Sequence, residues 1–142
     1  MKSQEQLKKL RMSADVLIID HDPTTIFFHR VVVKKSELTT DPLEFSCGQD
    51  ALDHLDARDH RDKPCLLLLD IYMPGMSGWE LLEQINFRSY AEHVFAIIIS
   101  SSIDINDRKK AEAFKQVIGC LEKPIEVKEL QNKLKSFDSL LR

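Results

Sequence analysis

Short apolar runs alternate along the chain with longer stretches of helical periodicity. Residues 15–20, Asp-Val-Leu-Ile-Ile-Asp, predict a first strand buried on both faces. Asp22-Pro23 follows as a helix cap with proline at the first helical position. Phe27, Phe28, Val31 and Val32 are the expected inward face of that helix, which ends near Lys35. Residues 43–47 form a weak second strand, and 48–56 a second helix with Ala51, Leu52 and Leu55 inward. The run 64–70, Pro-Cys-Leu-Leu-Leu-Leu-Asp, is the strongest strand. Its short length and the flanking Pro64 and Pro74 favour strand over helix. Ser77-Gly78 opens a third helix with Trp79, Leu82 and Ile85 on one side. Residues 94–100 form a fourth strand, 104–117 a fourth helix with Ala111, Phe114 and Val117 inward, and Cys120-Leu121 a short fifth strand. Val127, Leu130, Leu134, Phe137 and Leu141 recur at three- and four-residue steps, the pattern of a last amphipathic helix. Five βα units of this kind predict an α/β domain, a parallel sheet covered by helices on both faces.

Composition narrows the class without changing that picture. The chain has 142 residues, 43% hydrophobic and 30% charged, with 4 Gly and 5 Pro, which suits one globular domain and not a disordered chain. A net charge of -3 does not make it a general electrostatic trap for nucleic acid. No apolar run approaches the roughly 20 residues of a membrane helix. Residues 1–12 are a polar extension without the apolar stretch of a signal peptide, and 13–142 form the domain. Cys47, Cys65 and Cys120 are widely spaced, with no CxxC pair, so a reducing compartment, the cytoplasm, is expected.

Chemistry collects where the strands end, the edge at which open α/β sheets build their sites. Strand one ends in Asp20-His21-Asp22, strand three in Asp70, strand four in Ser100-Ser101-Ser102, and Lys123-Pro124 follows strand five. An aspartate can be a covalent phosphoryl acceptor, a hard divalent cation can neutralise phosphate oxygens, and a lysine can add a point charge. Two unit charges 4 Å apart interact by about 4 kcal/mol at an effective dielectric of 20, so clustered carboxylates call for a cation.

The stretches Ile18-Ile19-Asp20-His21-Asp22-Pro23, Leu68-Leu69-Asp70-Ile71-Tyr72-Met73-Pro74-Gly75-Met76-Ser77-Gly78, Ile98-Ile99-Ser100-Ser101-Ser102 and Glu122-Lys123-Pro124 resemble a response-regulator receiver domain. That family is the phosphoacceptor half of two-component signalling. The resemblance implies a doubly wound, flavodoxin-like fold with a five-stranded parallel sheet in the order 2-1-3-4-5. It implies phosphorylation of Asp70, with Ser100 as the switch hydroxyl and Lys123 as the paired ammonium. Asp20, Asp70 and the backbone carbonyl of Tyr72 would be Mg²⁺ ligands, with Mn²⁺ as a substitute; because position 21 is His21, either waters complete the set, or Asp22 bends in as a further ligand, or binding is weak. The expected partners are a histidine kinase or phosphotransfer protein and a downstream protein, with no nucleic acid and no membrane. No output domain is expected after the last helix, and no multiple-turnover catalysis on an external substrate. Tyr72 and Ser102 fall where the family tunes dephosphorylation.

Two positions depart from the family pattern. The second of two adjacent acids is here His21, and imidazole is a poor Mg²⁺ ligand. The aromatic switch position is here Cys120. Both departures leave open a degenerate receiver that serves as a phosphorylation-independent docking module. Asp20-His21-Asp22-Pro23-Thr24 also matches the D-x-D-x-T motif of haloacid-dehalogenase-like phosphatases, with Asp20 as nucleophile and Asp22 as acid/base. The later acidic motif of those enzymes is missing. The remaining features have plainer readings: Asp22 as a helix cap, His54, His60 and His93 as exposed residues, and Arg108-Lys109-Lys110 as a solvated helix face within the family's partner-binding surface.

Overall fold

A computed structural model describes residues 3–6, 14–39, 41–61 and 63–140. Most of the polar extension 1–12, together with Leu141, lies outside those residues. The strands are β1 (Asp15–Ile19), β2 (Leu43–Phe45), β3 (Cys65–Asp70), β4 (Val94–Ser100) and β5 (Val117–Glu122). The helices are α1 (Pro23–Lys35), α2 (Gly48–Ala57), α3 (Gly78–Asn86), α4 (Ile105–Glu112) and α5 (Val127–Leu140). All neighbouring strands pair in parallel, in the order β2-β1-β3-β4-β5, as expected from the resemblance.

Strand alternation divides the core into two layers. Val16, Ile18, Leu66, Leu68, Ile97 and Ile99 pack with Ile26 and Val33 of α1 and Leu130, Leu134 and Phe137 of α5. Leu17, Ile19, Leu67, Leu69, Ala96 and Ile98 pack with α2, α3 and α4 on the other side. β3 is buried at every position, which is why it reads as continuous leucine with no polar alternation. Ladder register aligns Ile19, Leu69, Ile98 and Cys120 across the sheet, so the residues that follow them share one edge.

Three expectations are corrected. The buried face of α1 is Ile26, His29, Val32 and Val33, while Phe27 is 60% and Phe28 45% exposed. The segment carries more apolar residues than one face can hold, so periodicity alone does not choose the face; packing against α5 does. Second, α4 ends at Glu112, and Val117 opens β5 instead of closing a helix. Phe114 and Val117 N–H groups bond back to Ala111 and Phe114, turning the chain, and 117–122 then pair with the free edge of β4. Sheet pairing outweighs local helix preference here. Third, His60 is buried. Arg58 Nη1, which can only donate, lies 2.7 Å from His60 Nδ1, and His60 Nε2 is 2.8 Å from the Leu55 carbonyl. Its ring stacks on Tyr90 at 4.2 Å. His54 is half-buried, and His93 is exposed as expected.

The turn after β3 depends on two glycines. Gly75 has φ +76°, a conformation other residues adopt at a cost. Gly78 lies so close to the end of β3 that an added Cβ would sit 2.7 Å from the Asp70 carbonyl oxygen and 2.8 Å from Ile71 Cα. Both obstacles are backbone. Gly78→Ala should therefore destabilise the fold by about 3 kcal/mol, the upper range for overpacking, seen as a lower urea midpoint at unchanged slope.

His29 supplies a pH dependence. Burial pushes its imidazole down from 6.5 to about 4, against the pull of the Asp20 carboxylate. The unfolded chain thus binds a proton that the folded one refuses, and stability falls as pH drops from 6.5 toward 4. That loss is on the order of 3 kcal/mol at most. His29→Leu should flatten the acid limb of a stability-versus-pH curve over this window.

Candidate functional site

Each side chain of the site is delivered by the end of a strand. Asp20 follows β1 and is 1% exposed; Asp70 closes β3 and is 4% exposed. Lys123 follows β5 and places Nζ 2.7 Å from Asp20 Oδ2 and 3.5 Å from Asp70 Oδ2. Its backbone N–H donates to the Ser100 carbonyl at 2.8 Å, tying the ends of β4 and β5 together, and the Lys123–Pro124 peptide is cis. His21 is half-exposed, with Nδ1 3.3 Å from Asp70 Oδ2 and 3.8 Å from Asp20 Oδ1. Asp20, His21 and Asp70 each offer one donor atom within 4.8 Å of the others, the one such cluster among the described residues.

Backbone donors aim the carboxylates. Asp22 N–H donates to Asp20 Oδ1 at 2.9 Å, and Tyr72 N–H to Asp70 Oδ1 at 3.2 Å. Burial and the neighbouring Asp20 charge raise the Asp70 carboxyl above the ordinary carboxylate range, and Lys123 offsets part of this. Ser100 is fully buried. Its hydroxyl donates to the Ser102 carbonyl at 3.1 Å and accepts from Ser102 N–H at 3.3 Å, so it is turned to its own loop.

Asp22 stands apart from this cluster. It is exposed, its Oδ1 accepts from Thr24 N–H at 3.1 Å, and its Oδ2 accepts from the Thr25 hydroxyl at 2.9 Å. Those bonds hold its carboxyl below the usual range. It is the N-cap of α1. Cys120 is half-buried, and burial pushes its thiol up.

Some partners were not legible from the motifs. Asp107 accepts from the Tyr72 hydroxyl at 3.0 Å and raises the Tyr72 phenol. Asp107 also forms a reciprocal capping box with Asp104 at the start of α4, and the D-x-x-D spacing is the signal that could have revealed it. Tyr72 therefore joins the loop that follows Asp70 to the first turn of α4. Glu122 Oε1 accepts from Ile103 N–H at 3.3 Å and secures the loop before α4. Arg108, Lys109 and Lys110 are exposed on α4, with Lys110 Nζ lying 5.5 Å from the centre of the Trp79 ring.

A family model described as the response regulator receiver domain matches residues 16–135. The chain belongs to that family. It is 32% identical over 123 residues to the transcriptional regulatory protein MalR of Bacillus subtilis, covering 87% of this chain and 49% of MalR. It is 32% identical over 71 residues to the chemotaxis protein CheV2 of Helicobacter pylori, covering 50% of this chain and 23% of CheV2. The chain thus spans about half or less of the curated relatives it matches. A two-component response regulator from Cytophaga hutchinsonii has a similar structure, with TM-score 0.79, 26% identity and coverage of 92% and 98% of the two chains. A response regulator receiver protein from Dyadobacter fermentans gives TM-score 0.76, 32% identity and coverage of 87% and 98%. Among the described residues, no helix is long and apolar enough to cross a membrane. The phosphatase alternative is not carried forward, since the chain is a receiver and Asp22 is engaged as a helix cap.

The raised Asp70 carboxyl fixes the sign of a stability test. A folded-state value above the unfolded one means that the ionised carboxylate costs folding free energy. That cost is fully present above the folded value and vanishes as pH falls below the unfolded one. In a metal chelator at neutral pH, Asp70→Asn should raise thermal stability, by about 1 kcal/mol, within the usual range of single-residue effects. The gain should shrink as the pH is lowered toward 4.

Proposed function

We propose that this chain is a stand-alone cytoplasmic response regulator. Asp70 accepts a phosphoryl group from a histidine kinase or phosphotransfer protein, and the modified domain signals through a further protein. The observation that carries this reading is the buried Asp70 carboxylate at the end of the central strand, beside Asp20 and the Lys123 ammonium. Three free thiols suit a reducing compartment.

In the transfer, an Asp70 oxygen attacks phosphorus, an O–P bond forms, and the P–N bond to the donor imidazole breaks. The electron pair returns to the imidazole nitrogen, which takes up a proton. Asp20, Asp70 and the Tyr72 carbonyl would hold Mg²⁺ or Mn²⁺, which supplies charge neutralisation at the phosphoryl oxygens. The donor chemistry fits a divalent cation: two buried carboxylates carry more negative charge than one lysine balances. Lys123 pairs with a phosphoryl oxygen once Asp70 is modified. The Ser100 hydroxyl leaves the Ser102 carbonyl and donates to the phosphoryl group, pulling the β4–α4 loop with it.

The output surface is α4 with β5 and α5. Tyr72 gives this chain a second route to α4, because its N–H holds Asp70 and its hydroxyl holds Asp107. Any such movement shifts a pre-existing equilibrium and needs no large ring at Cys120. A second reading, a docking module that works without phosphate, is favoured by one observation: His21 faces Asp70 at 3.3 Å.

Intact mass after incubation with Mg²⁺ and acetyl phosphate separates the two readings. The first predicts a single base-labile phosphoryl adduct that is absent in Asp70→Asn and forms about 10²-fold more slowly in Lys123→Ala. No adduct in wild type at any Mg²⁺ or Mn²⁺ concentration supports the docking module instead.

A further inference from the structure

The site contains a nitrogen donor that its phosphoacceptor role does not use. His21 Nδ1 lies 3.3 Å from Asp70 Oδ2 and 3.8 Å from Asp20 Oδ1. A cation bonded at about 2.1 Å to imidazole nitrogen and carboxylate oxygen sets neighbouring donors about 3.0–3.4 Å apart. The His21–Asp70 separation already meets that spacing. The His21–Asp20 separation needs a shift of a few tenths of an ångström, which a half-exposed imidazole can make. The two carboxylates, by contrast, are buried and oriented by backbone N–H groups, and all three donor atoms lie within 4.8 Å of one another. Lys123 approaches Asp20 through Oδ2, while Asp20 Oδ1, held by the Asp22 N–H, faces the imidazole; Asp70 Oδ2 lies 3.5 Å from Lys123 Nζ, so a cation there shares that oxygen with the ammonium.

We propose that Asp20, His21 and Asp70 form a mixed two-carboxylate, one-imidazole centre that binds a first-row transition cation, with Zn²⁺ above Mn²⁺ above Mg²⁺, and that His21 Nδ1 is the discriminating ligand. The inference deepens the reading of this site as a divalent-cation pocket and rests on it. Its physical basis is donor softness. Mg²⁺ takes oxygen ligands in near-ideal octahedral geometry and sheds water reluctantly. Imidazole suits zinc and its neighbours, whose affinity for nitrogen and oxygen sites rises along the first row. An oxygen donor at position 21 would serve both classes of ion; a nitrogen donor adds affinity for one class and none for the other.

The test measures metal binding directly on the full chain, by calorimetry for Mg²⁺ and by competition with a chromophoric chelator for Mn²⁺ and Zn²⁺. Wild type, His21→Ala, His21→Asp and Asp70→Asn are compared. His21→Ala should weaken Zn²⁺ at least tenfold while changing Mg²⁺ less than threefold. His21→Asp should tighten Mg²⁺ at least tenfold and narrow the Zn²⁺ to Mg²⁺ ratio. Zn²⁺ should shift the His21 ring nitrogen resonances in wild type and not in Asp70→Asn. Equal changes for both ions in His21→Ala, or Zn²⁺ binding that survives both His21→Ala and Asp70→Asn, overturns the role of His21. Absence of any divalent binding to wild type at millimolar concentration overturns the cation pocket itself, and the inference falls with it.

Discussion

Strand β3 has no face exposed to water, and the rest of the molecule is arranged around that constraint. Its six residues are buried without exception, so polar groups can enter its neighbourhood only where the strand stops. Helices α1 and α5 cover one side and α2, α3 and α4 the other. A carboxylate at the end of such a strand is held by the packing of both layers at once. Asp70 is therefore buried, raised above the ordinary carboxylate range, and still open to chemistry along one edge.

The edge is built to manage that stored charge. Asp20 brings a second carboxylate from the adjacent strand, and Lys123 brings an ammonium from beyond β5, the strand after Ser100. Neither partner could reach the site without the parallel register, which aligns Ile19, Leu69, Ile98 and Cys120. The two carboxylates repel each other in a region of low dielectric, and one lysine does not neutralise them. Unbalanced negative charge of this kind favours a bound cation. Strain of this kind at a functional edge is offset by apolar burial elsewhere in the fold.

Local rules explain where the site connects to the surface. Gly78 lets α3 start against the backbone of Asp70 and Ile71, which holds the loop after β3 close to the sheet. Tyr72 carries the contact outward, from Asp70 through its N–H to Asp107 through its hydroxyl. Asp107 in turn takes part in the capping box of α4, so Asp70 and a helix terminus share one loop residue. Cys120 occupies a half-buried position on the outer strand, where a thiol fills less space than a ring.

The sequence by itself determined the order of strands and helices, the helix starts and most of the residues that gather at the sheet edge. Leucine and isoleucine runs bounded by aspartate and proline admit few other readings, and Asp22-Pro23 and Ser77-Gly78 mark helix starts by local hydrogen bonding alone. Tertiary structure decided what local pattern leaves degenerate. The helix at 23–35 had apolar residues for more than one face, and packing against α5 buried His29 and left Phe27 and Phe28 outside. The boundary between α4 and β5 was set by the open edge of β4, a partner distant in sequence. His60 became buried because Tyr90, distant in sequence, stacks on its ring, while its own neighbours Leu55 and Arg58 hold the two ring nitrogens. Whether His21 faces Asp70 or solvent also depended on the three-dimensional path of the chain after β1. Periodicity and capping act within a few residues, whereas burial and charge are properties of neighbours that only folding brings together.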